Sequence, residues 1–350
     1  MKEILKLDYK RVWRTYTGGK LIDTMHQKKD ASDSHYPEEW IMSITEAINP
    51  EPTKGEGLSY IPDLNMTLKT YIENNPEETL GKAFYQKYGL TTAVLVKFID
   101  SLERLTLQVH PNKKDARIYF NSEFGKTECW YFLKGRTIEN EKPHVYLGFK
   151  KGITRAYFKE LFDKQDINGM LNALNKIEVN EKDCILIEGG MPHAIGSGCF
   201  LVEIQEPTDY TIRVEKYTPS GLKIDEKLIH QGIGYDKMFD LFNYKYMSLS
   251  EIKEKYFIKP RRITQKEKEI IGYDTIDYFK LKELNISKNY LSEENIFYGM
   301  VIIEGKGIIK SGDSQYTYEQ GEQFFIPYQT QTIEIIPEIP SRIFKCFGPK

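Results

Sequence analysis

Long apolar runs are missing from this chain of 350 residues; the longest unbroken one is the five-residue stretch Cys129 to Leu133. A membrane-spanning helix needs about 20 consecutive apolar residues, so no such span is expected. Residues 1–20 are basic but lack the apolar core, about 7–15 residues long, of a secretory signal. Cysteine is also scarce. The four, at positions 129, 184, 199 and 346, form no C-x-x-C pair. That excludes a zinc ribbon and a thioredoxin motif and leaves reduced thiols in a cytoplasmic protein as the expectation. Neither sign of charge is in excess. Lys and Arg number 49 against 51 Asp and Glu, a formal net charge of −2, so bulk electrostatics gives no reason to expect nucleic acid or an anionic membrane as partner. What remains, 40% apolar and 29% charged, is the composition of a globular chain. At about 150 residues per domain there is room for two or three.

Most of the chain reads as short strands. Residues 93–99, 105–110, 128–133, 145–149, 184–188, 200–204 and 211–217 are rich in β-branched and aromatic residues with turn formers nearby, which argues for a sandwich or barrel. Helical spacing interrupts them at 66–88, where two short helices are expected around Pro76, at 153–177 and at 225–256. Strand character returns with 298–309, 314–318 and 323–326. An internal echo accompanies it. Strand residues 182–187, a turn, His193 and a further strand are matched by 321–327, a polar turn and strand residues 332–336, but the second copy has no histidine, the last in the chain being His230. This predicts two related β-barrels, 1–255 and 256–350, of which only the first carries chemistry.

Of six histidines, at 26, 35, 110, 144, 193 and 230, two stand out. Gln108 and His110 lie two apart at the end of a strand pattern, so their side chains leave one face while Leu107 and Val109 take the other. Pro111 ends that strand and puts His110 at a rim. Lys126 and Glu128 repeat the arrangement just before Cys129–Leu133. If the two strands are neighbours, all four polar groups converge, and His193, in the glycine-rich turn from Gly189 to Gly196, can join them. Two imidazoles, a carboxylate and an amide oxygen suit Zn²⁺ or another borderline divalent ion with a position left for water or substrate. Ordinary rim residues facing water are the alternative. Downstream, Arg213 lies ten residues after Glu203, and alternation turns it away from Ile212 and Val214. An inward arginine suits a phosphate or a developing oxyanion. A structural pair with Glu203, Asp209 or Glu215 accounts for it equally well.

Other motifs fail. Gly125-Lys126-Thr127 lacks the earlier glycine of a phosphate loop, Gly232-Ile233-Gly234 lacks a third glycine, and there is no G-x-S-x-G elbow.

Gln108-Val109-His110-Pro111, Gly125-Lys126-Thr127-Glu128-Cys129-Trp130-Tyr131, Met191-Pro192-His193-Ala194, Glu203 and Tyr210-Thr211-Ile212-Arg213-Val214 together resemble class I phosphomannose isomerase of the short bacterial kind. Thr17-Gly18-Gly19 and Pro37-Glu38-Glu39-Trp40 are similar to that family's opening more loosely. The resemblance implies a mainly β fold of two cupin-type (jelly-roll) barrels with short helical segments. It also implies one Zn²⁺ per chain, held by Gln108, His110, Glu128 and His193. Arg213 falls on the family's active-site arginine, with Lys126 and Glu203 lining the same cavity. One departure is Ile195, where longer members often carry a tyrosine. The implied reaction interconverts mannose 6-phosphate and fructose 6-phosphate through an enediol, with Glu203, Lys126 and a metal-bound water as candidate bases. Isomerisation of another sugar phosphate on the same site is the nearest alternative. A non-catalytic sugar-phosphate-binding cupin would bring a DNA-binding module, and no helix-turn-helix pattern or basic arm is present. An iron dioxygenase would offer H-x-H where this chain has Gln108-x-His110.

Overall fold

Residues 3–350 are described by a computed structural model. Two antiparallel sheets face each other in the first two thirds of the chain. One has six strands in the order Cys184–Ile187, Glu128–Phe132, Phe200–Gln205, Leu95–Asp100, Glu38–Ile41 and Arg11–Val12. The other has five, in the order Leu174–Glu178, His144–Phe149, His193–Ile195, Gln108–Val109 and Ile212–Arg213. Strands adjacent in space are mostly distant in sequence, the winding of a jelly roll.

Alternation assigns each strand two jobs. In the five-stranded sheet Leu107, Val109, Ala194, Ile212 and Val214 pack outward with Phe158, Phe162, Met170, Leu228 and Phe239. These come from short helices that include Arg155–Asp163, Ile167–Asn172 and Glu226–His230. The first of them starts where Thr154 accepts a hydrogen bond from the Tyr157 amide, and it buries Phe158, Leu161 and Phe162 at helical spacing. Gln108, His193 and Arg213 are thereby left on the inner face. In the six-stranded sheet Glu128 and Trp130 take the inner face. Tyr131, turned the other way, meets the C-terminal part of the molecule: its hydroxyl donates to Glu283 Oε2 at 3.1 Å and its ring lies 5.6 Å from that of Phe344.

That C-terminal part is a single nine-stranded sheet wrapped around a core of Leu284, Met300, Ile302, Phe324, Ile335 and Ile343. Its long strands, Tyr298–Ser311 and Thr332–Phe347, bend together where their register shifts between Ile302 and Gly307. Gly305 makes the bend possible: its φ is +103°, and a Cβ there would sit 2.3 Å from the Ser341 hydroxyl. The sheet is curled but not closed. Its outer edge is Leu5–Leu7, paired antiparallel with Gln323–Phe325.

The sequence reading needs four corrections. Strands 105–110 and 211–217 shrink to Gln108–Val109 and Ile212–Arg213. The Leu107 amide donates to the Glu215 carboxylate at 2.7 Å rather than to a neighbouring strand, which interrupts the ladder. Residues 174–177, read as the end of a helix, lie in the strand Leu174–Glu178: the spacing of three between Leu174 and Ile177 suits a helix, but the strand sends the two side chains into different clusters on its opposite faces. The segment 66–88 holds three helices, Leu68–Asn74, Pro76–Leu80 and Lys82–Tyr88. Finally, the strands carrying Gln108 and Glu128 are not neighbours; they belong to opposite sheets. All four cysteines are free and buried, and the Cys129 and Cys184 sulfurs lie 3.3 Å apart. Among the described residues no helix is long and apolar enough to cross a membrane.

Candidate active site

Two glycines bring the polar groups together. A Cβ on Gly125 would stand 2.7 Å from the Pro111 carbonyl, and one on Gly189 would stand 2.6 Å from Asn112 Cα. The segment after His110 is thus gripped by the loop that leads into Lys126 and Glu128 and by the turn that leads into His193. Backbone hydrogen bonds fasten both sides, from Lys126 N–H to the Pro111 carbonyl at 2.9 Å and from Gly190 N–H to the His110 carbonyl at 2.8 Å. Register completes the arrangement: Gln108 lies directly between His193 and Arg213.

Both imidazoles are oriented from behind. His110 Nδ1 lies 2.8 Å from the Tyr210 carbonyl and His193 Nδ1 lies 2.8 Å from the Met191 carbonyl. A carbonyl only accepts, so each Nδ1 carries the proton and each Nε2 presents a lone pair toward the site. His110 Nε2 is 3.3 Å from Glu128 Oε2 and His193 Nε2 is 3.6 Å from Glu128 Oε1, while the Gln108 amide nitrogen lies 3.2 Å from His193 Nε2 and donates to it. A tetrahedral ion with bonds of about 2.0–2.1 Å holds its ligand atoms about 3.4 Å apart, close to the two histidine–carboxylate separations. Lys126 Nζ donates to Glu128 Oε2 at 2.7 Å and to His110 Nε2 at 2.8 Å.

Burial sets the protonation states. It pushes His110 down to about 3, with the Lys126 ammonium adding to the effect, and it lowers His193 as well. Burial also disfavours the Glu128 carboxylate, but the Lys126 ammonium outweighs it and holds the carboxyl well below its usual range. Neutral imidazoles and an ionised carboxylate are the forms that bind a metal ion. Glu128 Oε1 is buried and makes no hydrogen bond, although a buried carboxylate oxygen ordinarily has a partner. The set fits a divalent cation.

Gln108 and Lys126 also line a cavity enclosed by both sheets, together with Arg14, Tyr16, Glu38, Lys97, Glu203, Asp209 and Arg213. Its charges are mostly matched. Lys97 pairs with Glu203 Oε1 at 3.2 Å, Trp130 Nε1 donates to Glu203 Oε2 at 3.0 Å, and Arg14 grips Asp209 with two hydrogen bonds of 3.0 Å. Arg213 differs. All three structural partners weighed for it are taken, Glu215 by Arg104 at 2.6 Å and the other two as above. Among the described residues no carboxylate lies within ion-pair distance of Arg213; its Nη1 donates to the carbonyls of Leu228, at 2.8 Å, and Thr211, at 3.2 Å. Burial pushes this unpaired guanidinium down to about 10. Glu203 moves the other way, raised by burial and by Glu128 against the pull of Lys97 and Lys126.

All seven residues singled out from the sequence lie in or beside this cavity. Arg14, Tyr16, Glu38 and Lys97 were not singled out. Lys97 had a signal, as the one charge within Ala93–Ile99. Arg14 and Tyr16 lie in irregular chain, where periodicity is silent.

Comparison with known proteins points to one family. Residues 19–147 match the family model for phosphomannose isomerase type I, catalytic domain, and residues 269–339 match that for mannose-6-phosphate isomerase, cupin domain. The probable mannose-6-phosphate isomerase GmuF of Bacillus subtilis is 28% identical over 244 residues, covering 68% of this chain and 70% of the relative. Mannose-6-phosphate isomerase ManA of the same organism is 25% identical over 248 residues, covering 70% and 72%. The crystal structure of mannose 6-phosphate isomerase from Bacillus subtilis superimposes with a TM-score of 0.75 at 19% identity, over 98% of this chain and 99% of that one. A zinc-bound mannose 6-phosphate isomerase does so with a TM-score of 0.74 at 14% identity over the whole of both chains. At such identities the two structures attest the fold, a mainly β cupin architecture.

Proposed function

The chain belongs to the type I phosphomannose isomerase family, and from that premise we propose that it is a zinc-dependent isomerase interconverting mannose 6-phosphate and fructose 6-phosphate through an enediol. One observation carries the reading: His110, Glu128 and His193 converge, fully buried, beside a cavity with an unpaired arginine. In this reading residues 1–255 form the metal-binding catalytic part, apart from Leu5–Leu7, which completes an edge of the other sheet, and 256–350 form a cupin-like part without ligands. Gln108, His110, Glu128 and His193 would hold one zinc ion, which when bound supplies an electrophile for the carbonyl and hydroxyl oxygens.

The remaining work falls to side chains. Moving a proton between C2 and C1 requires a base and stabilisation of negative charge on the adjacent oxygens. Arg213, free of carboxylates, is available to an anionic oxygen of the substrate. Glu203 is the candidate base: its raised pKa brings it toward the range in which a carboxyl both takes and returns a proton. Lys126 donates to Glu128 Oε2 and to the His110 Nε2 lone pair that an ion would take, so in this reading it would keep only Glu128 as partner and carry its charge at the wall of the cavity it lines.

The test is conversion of mannose 6-phosphate to fructose 6-phosphate by purified protein, before and after chelation, with Zn²⁺ added back. Activity lost to the chelator and restored by zinc is the expected result. A fully zinc-loaded protein without activity would sink the substrate assignment.

A further inference from the structure

Arg14 spends its whole guanidinium on two carboxylates. Nη1 and Nη2 each donate to Asp209 at 3.0 Å, Nη1 also reaches Asn49 Oδ1 at 3.3 Å, and Nε is 3.0 Å from Glu38 Oε2. The group stacks 5.0 Å over Trp40 and is buried. Asp209 is correspondingly full, because Oδ2 also accepts the Ile48 amide at 2.9 Å. Arg213 follows four residues later, lines the same cavity as Asp209 and has no carboxylate partner among the described residues. The two groups line one cavity, and Asp209 is the largest source of compensating charge that acts on Arg213.

Building on the isomerase reading, we propose that Arg14 is a positioning residue: by occupying both oxygens of Asp209 it keeps Arg213 unpaired and open to the substrate's anionic oxygens. Arg14 touches no reacting atom in this scheme. It decides which of two arginines the aspartate neutralises, and so leaves one positive charge in the cavity without a counter-ion.

The test compares wild type, Arg14→Met and the double variant Arg14→Met/Asp209→Asn, with zinc content and melting temperature measured for each. Arg14→Met frees Asp209 to neutralise Arg213. It is expected to lower kcat/KM by about 10- to 100-fold, the value of a hydrogen bond to a charged group. Its crystal structure should show the Asp209 carboxylate on Arg213. Adding Asp209→Asn removes the competing charge and should recover most of the loss, which a merely structural role for Arg14 would not allow. Should Arg14→Met fail to fold, Arg14→Lys keeps the charge, gives up the two-pronged grip and should lose activity to a lesser degree, again with recovery on Asp209→Asn. Wild-type kinetics in the single variant, or a folded, zinc-loaded double variant without recovery, would overturn the proposal. A wild-type protein with no isomerase activity would instead overturn the isomerase reading, while the Asp209–Arg213 contact in the Arg14→Met structure still reports on the pairing.

Discussion

Replacing Glu128 by Gln removes one charge from a pair that has left water almost completely. Glu128 is 0% and Lys126 4% exposed, and their charged atoms are 2.7 Å apart. The lysine ammonium would be stranded among neutral imidazoles. Breaking a buried pair from one side costs about 3–5 kcal/mol, because the remaining charge keeps its desolvation penalty without its partner. The glutamine amide still accepts a hydrogen bond, which favours the lower end of that range. Urea unfolding of chelator-treated protein, followed by tryptophan fluorescence, gives the number directly, since Trp130 lies 5.5 Å from His193. Removing both charges, in Lys126→Met/Glu128→Gln, should return stability to within about 1–2 kcal/mol of wild type, because two neutral groups no longer demand solvation. If Glu128→Gln costs less than about 1 kcal/mol, or the double variant is as unstable as the single, water reaches the pair and the burial argument fails. Without chelator the single variant should also have lost its zinc.

Arg213→Ala should lower kcat/KM by about 10²–10³-fold with zinc content unchanged, the cost of losing one donor to a developing charge; loss of zinc would mark the residue as structural. Gln108→Leu should retain one zinc and bind it about 10- to 100-fold more weakly in competition with a chromophoric chelator, and unchanged affinity would remove Gln108 from the ligand set. Burial disfavours the Glu38 carboxylate, but Arg14 and Lys97 outweigh it and hold the group at about 2 against an unfolded value of 4.5. A depressed carboxyl stabilises the fold above its unfolded pKa and loses that contribution as pH falls from 4.5 toward 2. Roughly 3 kcal/mol should therefore disappear across this window, and Glu38→Gln should flatten that limb of a stability–pH curve.

The candidate site was more legible in the sequence than the frame holding it. Alternation alone put Gln108 with His110 and turned Arg213 away from Ile212 and Val214, because a strand's two faces are fixed by covalent geometry. It could not say whether the strands carrying Gln108 and Glu128 lie side by side or opposite, since that choice is made by tertiary packing. Nor could it see that Glu215, Asp209 and Glu203 are claimed by Arg104, Arg14 and Lys97, which is what leaves Arg213 unpaired. Strands such as Lys280–Ile286 were missed because lysine and glutamate interrupt the apolar pattern; Lys282 and Glu283 pair with charges on neighbouring strands and turns.

The pairing of Leu5–Leu7 with Gln323–Phe325 sets a timetable for biosynthesis. More than three hundred residues separate the partners, so at about 5–20 residues per second the first strand waits roughly 15–60 s for its neighbour to be made. Throughout that interval the strand Leu5–Leu7 lacks the partner against which it folds. A ribosome that stalls before residue 323 releases a chain whose catalytic sheets are complete but whose first strand remains an open edge, ready to pair with another molecule.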